Sequence, residues 1–309
     1  MLLIHKAVTL KPHRYNPLND YPVANQLMSS PYSGMETMEH MHQKARVDGI
    51  DLIKVLAMLL VTVIHYIAYN DGLAYAQGAG KFFLTLLFTA TCIGVNLFTV
   101  VTGYLLCDKE PSITRVARVW SEGWFYSVTL FLPGIVISQG GHIGIGDLIR
   151  IVFPVLSQHY WYLTMIVLIY LMSPVLNIVI KVLSEATFKR SLIFAGLIIT
   201  VLFAANPFIP EEVYLGHPHG FLWLMYLYLL GAYIKLYLPS TSRTVWAGVA
   251  VICLTLIFLV QWSGFSITNV SLTSQYSVLP TLSTVAAFVL LKDAKLRHLK
   301  TLYKGLRVR

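Results

Sequence analysis

The chain alternates long apolar runs with short polar segments. A helix needs about 20 apolar residues to cross a bilayer, and runs of about this length recur along the sequence. We predict spans near residues 50–69, 82–106, 120–138, 161–183, 190–209, 220–238, 245–262 and 275–292. The pattern therefore predicts an all-α fold, a polytopic transmembrane bundle of about eight helices.

The first run, residues 48–70, carries polar side chains on one side. Because a helix turns ~100° per residue, side chains at steps of three and four share a face. This polar stripe consists of Asp51, Lys54, Met58, Thr62 and His65. An ionisable group in hydrocarbon costs on the order of 3 kcal/mol. We therefore expect the stripe to face a protein interior or a wet cavity.

The composition is that of a membrane protein. Of the 309 residues, 56% are hydrophobic and 12% are charged, a balance that no soluble domain requires. The net charge is +9, but the basic residues lie at the ends of apolar runs, so membrane orientation explains them better than nucleic-acid binding. Cys92, Cys107 and Cys253 lack metal-ligand spacing, and we expect neither a disulfide nor a metal site.

The positions of lysine and arginine predict the topology. With the N-terminus inside, only Lys81 and Arg150 of the 23 basic residues fall in outer segments. Cytoplasmic segments carry such an excess of basic residues. We predict that both termini are cytoplasmic, with an N-terminal tail over 1–45, a transmembrane domain over 46–292 and a basic tail over 293–309.

Two arginines lead into the third run. Arg115 and Arg118 stand about one turn apart, and such a pair can hold a phosphate or pyrophosphate in a forked manner. The alternative is ordinary anchoring at the membrane surface. Glu122 follows one turn after Arg118, where it either forms a structural ion pair or belongs to a cavity.

Other polar residues also have two interpretations. Asn96, between Gly94 and Gly103, either bonds neighbouring helices that the glycines allow to approach, or lines a cavity. His159 and Trp161 belong to an aromatic cluster before the fourth run. Such a cluster either anchors a span at the interface or holds a sugar on the outer side.

Several stretches together resemble the acyltransferase family 3 integral membrane proteins, in particular the branch that modifies bacterial exopolysaccharide, capsule or lipopolysaccharide. The matching residues are 50–54 with 65–66, 94–98 with 102–104, 115–120, and 160–163 with 173–177. They are spread over roughly residues 46–292. The family has a basic residue, ten intervening positions and a histidine in the first span, here Lys54 and His65. Most members carry arginine at the position of Lys54.

The resemblance implies transfer of an acyl group, usually acetyl, from cytoplasmic acetyl-CoA to a sugar hydroxyl, without a tightly bound cofactor. His65 would act as the general base or carry the acyl group itself. Lys54, Arg115 and Arg118 would bind the phosphates of CoA. The partners would be membrane lipid and a surface polysaccharide or lipid-linked sugar, in the plasma membrane of a bacterium.

Two competing interpretations stay open. A transporter or flippase for a sugar or lipid-linked sugar also needs polar groups around a central cavity, and in a scaffold protein His65 would only bond to a neighbouring helix. Family members usually continue into a further span with a Gly-Ile/Val-Tyr-Leu-Ile-His-like stretch, whereas this chain stops at Arg309. We therefore expect either a naturally shortened member or a truncated one whose site lacks a wall.

Overall fold

The computed structural model describes residues 48–110, 112–138, 144–152, 161–205, 220–238, 242–264 and 273–295. The predicted N-terminal tail, most of the predicted C-terminal tail and His159 lie outside these residues. The helices are α1 (Asp48–Tyr69), α2 (Gly72–Tyr75), α3 (Gly78–Thr91), α4 (Gly94–Leu106), α5 (Ile113–Tyr126), a π-helical segment (Ser127–Phe131), α6 (Leu132–Ser138), α7 (Ile145–Val152), α8 (Trp161–Val182), α9 (Glu185–Ala205), α10 (Phe221–Tyr237), α11 (Arg243–Ser263) and α12 (Val278–Leu291).

The described part of the chain contains no strand, which confirms the predicted all-α class. Each predicted span overlaps at least one of these helices. Within the described ranges, four helical stretches are long and apolar enough to cross a membrane, namely Asp48–Tyr69, Gly78–Leu106, Trp161–Val182 and Arg243–Ser263, and α10 and α12 are shorter apolar helices. The number of spans and the side on which the termini lie stay predictions.

Helix α4 lies at the centre of the fold and packs most extensively against α10 and α1. A Cβ atom on Gly103 would collide with the backbone of Tyr228, and a Cβ on Gly231 would collide with the backbone of Val100. In lipid, helices associate through such close packing, because the surrounding acyl chains are as apolar as the side chains. This contact confirms the close helix approach that the sequence predicts at Gly103.

The second predicted span is not one continuous helix. Helix α3 ends at Thr91, Cys92 and Ile93 form a turn, and α4 begins at Gly94. The turn occurs where the chain meets α1, since a Cβ on Gly94 would press against Leu60 and Val61. The two helices that flank this turn both pack against α1.

Helix α8 runs through Pro174 without interruption. Proline has no N–H and leaves the carbonyl four residues earlier, that of Tyr170, without its helical donor. The hydroxyl of Ser173 donates to this carbonyl at 2.8 Å. The lost backbone bond is thereby replaced inside the same turn. Helix α8 packs against both α5 and α10.

Candidate active site

The polar stripe lies on the open side of α1. Ile50, Ile53 and Ala57 form the buried face of the helix, whereas Met58 and His65 of the stripe are exposed. The described residues therefore do not enclose the stripe, although we expected it to face a protein interior or a wet cavity. Periodicity shows which side chains share a face, but it does not show which element packs against that face.

The imidazole of His65 has a defined protonation pattern. Its Nδ1 lies 2.7 Å from the carbonyl oxygen of Val61, and since a carbonyl only accepts, Nδ1 must carry the proton. The ring also lies beside Tyr69, with 5.8 Å between the ring centroids. Nε2 has no hydrogen-bond partner among the described residues. In the neutral ring this nitrogen holds a lone pair and is free to accept a proton.

Lys54 lies about three helical turns from His65, at ~1.5 Å per residue roughly 16 Å along α1. Its ammonium is 3.5 Å from the Asp51 carboxylate, and both side chains are partly exposed. Exposed pairs of this kind contribute only about 0–1 kcal/mol. Lys54 can therefore exchange Asp51 for a stronger anion at little energetic cost.

The two arginines differ in their surroundings. The guanidinium of Arg115 donates to the Glu110 carbonyl at 3.2 Å. The guanidinium of Arg118 has no hydrogen bond or ion pair with any described residue, and the alternative Arg118–Glu122 pair does not form, although the structure describes both residues. Arg118 is thus the cation best able to receive a new anion at this end of α5.

The connection between α4 and α5 is held by Asn177, a residue of α8 that the sequence analysis did not select as functional. Its Nδ2 donates to the carbonyls of Leu106 at 2.9 Å and Lys109 at 3.4 Å. The hydroxyl of Tyr228, on α10, donates to Asn177 Oδ1 at 2.8 Å. The three bonds fix the polypeptide just before Arg115. Only the position of Asn177 inside a stretch of the family resemblance hinted at this role.

An ion pair lies at the same end of the bundle. Lys235 of α10 is 2.7 Å from the Asp108 carboxylate, and its ammonium lies 5.8 Å from the centroid of the Tyr104 ring. Burial by itself would raise the pKa of Asp108, but the hydrogen bond and the charge of Lys235 outweigh burial and hold this pKa below its ordinary value. Asp108 is therefore a carboxylate at neutral pH and neutralises one of the local cations.

Two of the remaining predicted residues, Asn96 and Trp161, make their contacts within the bundle. Asn96 is fully buried, donates to the Gln275 carbonyl at 2.6 Å and accepts from Trp223 Nε1 at 3.2 Å. Trp161 is half-buried at the start of α8, with its ring 5.7 Å from that of Tyr162. Over the residues that the structure places, no three side chains suited to metal binding come together.

The structure does not join the predicted donor-binding residues into one cluster. α5, which carries the arginines, packs against α8, whereas α1 packs against α3, α4 and α12. No hydrogen bond or ion pair links His65 or Lys54 to Arg115 or Arg118. The base and the cations are separate groups that an extended substrate would have to connect.

Comparison with known proteins gives one match. A family model described as an acyltransferase domain matches residues 47–300, which is most of the chain and includes every described helix. Among curated proteins and solved structures, none matches.

Proposed function

We propose a specific reaction for this chain, which belongs to acyltransferase family 3. The membrane acyltransferase moves an acyl group from cytoplasmic acyl-CoA to a hydroxyl of a cell-surface polysaccharide or its lipid-linked precursor. The acyl group is acetyl in the first instance. The acyltransferase class follows from the family. The acetyl donor, the sugar acceptor and a bacterial plasma membrane are the proposal.

The observation that carries the proposal is the hydrogen bond between His65 Nδ1 and the Val61 carbonyl. It directs the basic Nε2 away from the helix backbone and toward the open face of α1. A hydroxyl is a poor nucleophile until a base removes its proton, and a positioned histidine contributes typically ~10²–10⁴-fold to such a step. His65 is thus oriented as a general base needs to be.

In the proposed step, His65 acts as the general base. Nε2 of His65 takes the proton of the acceptor hydroxyl while the oxygen attacks the thioester carbonyl carbon. The new C–O bond forms, the C–S bond breaks, and the imidazolium returns the proton to the departing CoA thiolate. The products are the ester and free CoA, and His65 regains its starting state.

The donor would be held from the cytoplasmic side. The phosphates of CoA carry several negative charges, and guanidinium groups bind phosphate with paired, charge-assisted hydrogen bonds. Arg118 is available for this role, and Arg115 lies one turn away on the same helix. Lys54 lies on the same polar stripe of α1 as His65 and would bind a further phosphate. Asn177 and Tyr228 would act indirectly, by fixing the connection that precedes Arg115.

The reaction also requires that a wall close the stripe against lipid, because water and acyl chains would otherwise compete with the substrates. The described residues do not supply that wall. The proposal therefore assigns it to a part of the assembled protein outside them.

Membranes containing the chain should transfer label from radiolabelled acetyl-CoA to polysaccharide or to a lipid-linked sugar. Membranes containing His65→Ala at equal abundance are the matched control and should not. Sugar uptake or flipping without covalent label would instead identify a transporter and overturn the proposal.

A further inference from the structure

A cavity of about 310 Å³ lies beside α1. Its walls come from α1, the α3–α4 turn, the end of α11 and the segment of residues 273–276 before α12. Small-molecule sites typically have volumes of ~300–1,000 Å³. The cavity is therefore large enough for one small ring and too small for a CoA molecule.

Two neighbours of the candidate base on α1 line this cavity, whereas His65 itself does not. Val61 lines it, and the carbonyl of the same residue accepts the hydrogen bond of His65 Nδ1. Ile64, the residue before His65, lines it as well. A molecule in the cavity would thus lie next to the turn of α1 that orients the imidazole.

Gln261 and Thr91 are among the polar residues that line the cavity. The Thr89 hydroxyl lies 2.7 Å from Gln261 Oε1 and 2.8 Å from the Thr85 carbonyl, and its single proton serves one of these two acceptors at a time. The nitrogen end of the Gln261 amide has no hydrogen-bond partner among the described residues. Thr91 uses its proton on the Phe88 carbonyl at 2.6 Å, which leaves its oxygen as an acceptor. Gln261 and Thr91 can therefore supply a donor and an acceptor to a ligand.

A second cavity provides a comparison. It has a volume of about 160 Å³, lies between α9, α10 and α12, and is lined mainly by apolar groups such as Ile193, Leu197 and Leu282. Its Thr281 hydroxyl donates to a carbonyl of the same turn. An acyl chain would suit such walls. The cavity beside α1 also has apolar walls, but Gln261, Thr91 and Thr273 give it polar groups that an acyl chain could not use.

We propose that the cavity between α1, the α3–α4 turn and the end of α11 is the acceptor subsite, which holds one hydroxyl-rich sugar ring of hexopyranose size through Gln261 and Thr91. The role of the bound sugar as the acyl acceptor rests on the proposed function, whereas the binding of a sugar in this cavity does not. The aromatic face of Tyr276, which also lines the cavity, supplies the apolar surface against which a sugar ring packs.

Photolabelling of the full chain in detergent tests the site without any reaction. The probes are diazirine derivatives of the methyl glycosides of glucose, galactose, mannose and rhamnose, with a diazirine fatty acid as the lipid probe. We expect at least one sugar probe to label peptides containing residues 61–64, 91–95 or 273–276, and the unmodified glycoside to prevent the labelling. Labelling there by the fatty acid alone, or by none of the probes, would overturn the proposal.

Variants identify the contacts. Gln261→Leu removes the amide, while the Thr89 hydroxyl keeps its bond to the Thr85 carbonyl at 2.8 Å, so no buried group loses its only partner. Thr91→Val removes the acceptor. The control is Thr281→Val in the second cavity. Since one hydrogen bond contributes about 0.5–1.5 kcal/mol, each cavity variant should weaken protection by the glycoside about 3- to 10-fold, and Thr281→Val should not.

Kinetic measurements of acyl transfer test the sugar site and the proposed function separately. In the same variants the KM for the acceptor should rise, and the KM for acetyl-CoA should stay constant. Competed sugar labelling without any acyl transfer would contradict the proposed function and keep the sugar site. Acyl transfer that is unaffected by Gln261→Leu and Thr91→Val, with sugar labelling elsewhere, would keep the function and overturn the subsite.

Discussion

The Tyr228 hydroxyl donates a 2.8 Å hydrogen bond to Asn177 Oδ1, and both side chains are buried, with 0% and 6% of their surface exposed. Asn177 in turn holds two carbonyls of the α4–α5 connection. A residue of α10 thereby positions, through α8, the segment that leads to Arg115.

Tyr228→Phe removes only the donor of this bond. The Asn177 oxygen is then buried without a partner, which costs about 1–3 kcal/mol, and thermal melts in detergent should detect the loss. Tyr75→Phe is the control, because Tyr75 is 79% exposed. Equal melting temperatures for Tyr228→Phe and the wild type would show that the bond does not stabilise the fold.

Asn177→Ala should affect the donor side of the reaction in particular. Without the amide, the connection before Arg115 loses the two hydrogen bonds that Asn177 donates, so the KM for acetyl-CoA should rise several-fold while the KM for the acceptor stays constant. A variant that melts earlier but has unchanged KM values would give Asn177 a structural role only.

Gly231→Ala should weaken the packing of α4 against α10. The added methyl would meet the backbone of Val100, which cannot move as a flexible side chain can, and overpacking typically costs about 1–3 kcal/mol. Gly248→Ala is a matched control within α11, where a Cβ meets nothing within 4 Å. We expect a lower melting temperature for the first variant and an equal or higher one for the second.

The helices were largely predictable, because apolar runs bounded by charged residues set their length. The run that begins at Asp48 forms α1, and the run near 161–183 forms α8 (Trp161–Val182). The turn at Cys92 and Ile93 was not predictable, since the apolar pattern continues through it. Helix α7 lies between the predicted spans 120–138 and 161–183, and its eight residues are too few to show a period.

The candidate site was less predictable than the fold. The stripe residues do share one face of α1, but that face is open, because a helical period carries no information about the neighbouring element. Asn177 bonds to groups 51 and 71 positions away in the sequence, and such partners leave no local signal. Asn96 was given two interpretations, and both ends of its amide bond to other segments of the bundle.

Arg118→Lys should weaken donor binding. Lysine keeps the charge but loses the planar fork that matches a phosphate, and a hydrogen bond to a charged group contributes about 1.5–3 kcal/mol. We expect the KM for acetyl-CoA to rise about 10-fold, in assays at varied donor concentration. Arg190→Lys, an exposed arginine of α9, is the control. An unchanged donor dependence in Arg118→Lys would remove this residue from the donor site.

Asp108 predicts a pH dependence of stability. Because its pKa is lowered in the fold by Lys235, the pair stabilises the protein above the ordinary pKa of aspartate, and this contribution is lost as the pH falls through the lowered value. For a partly exposed pair the contribution is about 0.2–1 kcal/mol. Asp108→Asn should therefore melt slightly below the wild type near pH ~7, and this difference should shrink as the pH falls below the ordinary pKa of aspartate.

The control for this titration is Asp71→Asn, because Asp71 forms no ion pair with a described residue. Its melting temperature should follow that of the wild type across the same range. If the difference in melting temperature between Asp108→Asn and the wild type were largest at acidic pH, its pH dependence would be the reverse of the expected one. That result would contradict the assignment.

The rate of acyl transfer by His65→Gln, measured with radiolabelled acetyl-CoA at equal protein abundance, tests the central claim most directly. His65 is exposed and bonds only to its own helix, so the substitution should leave melting temperature and abundance unchanged. If Nε2 is the general base, the rate should fall by about 10²-fold or more. A His65→Gln protein that transfers label at the wild-type rate would contradict the account.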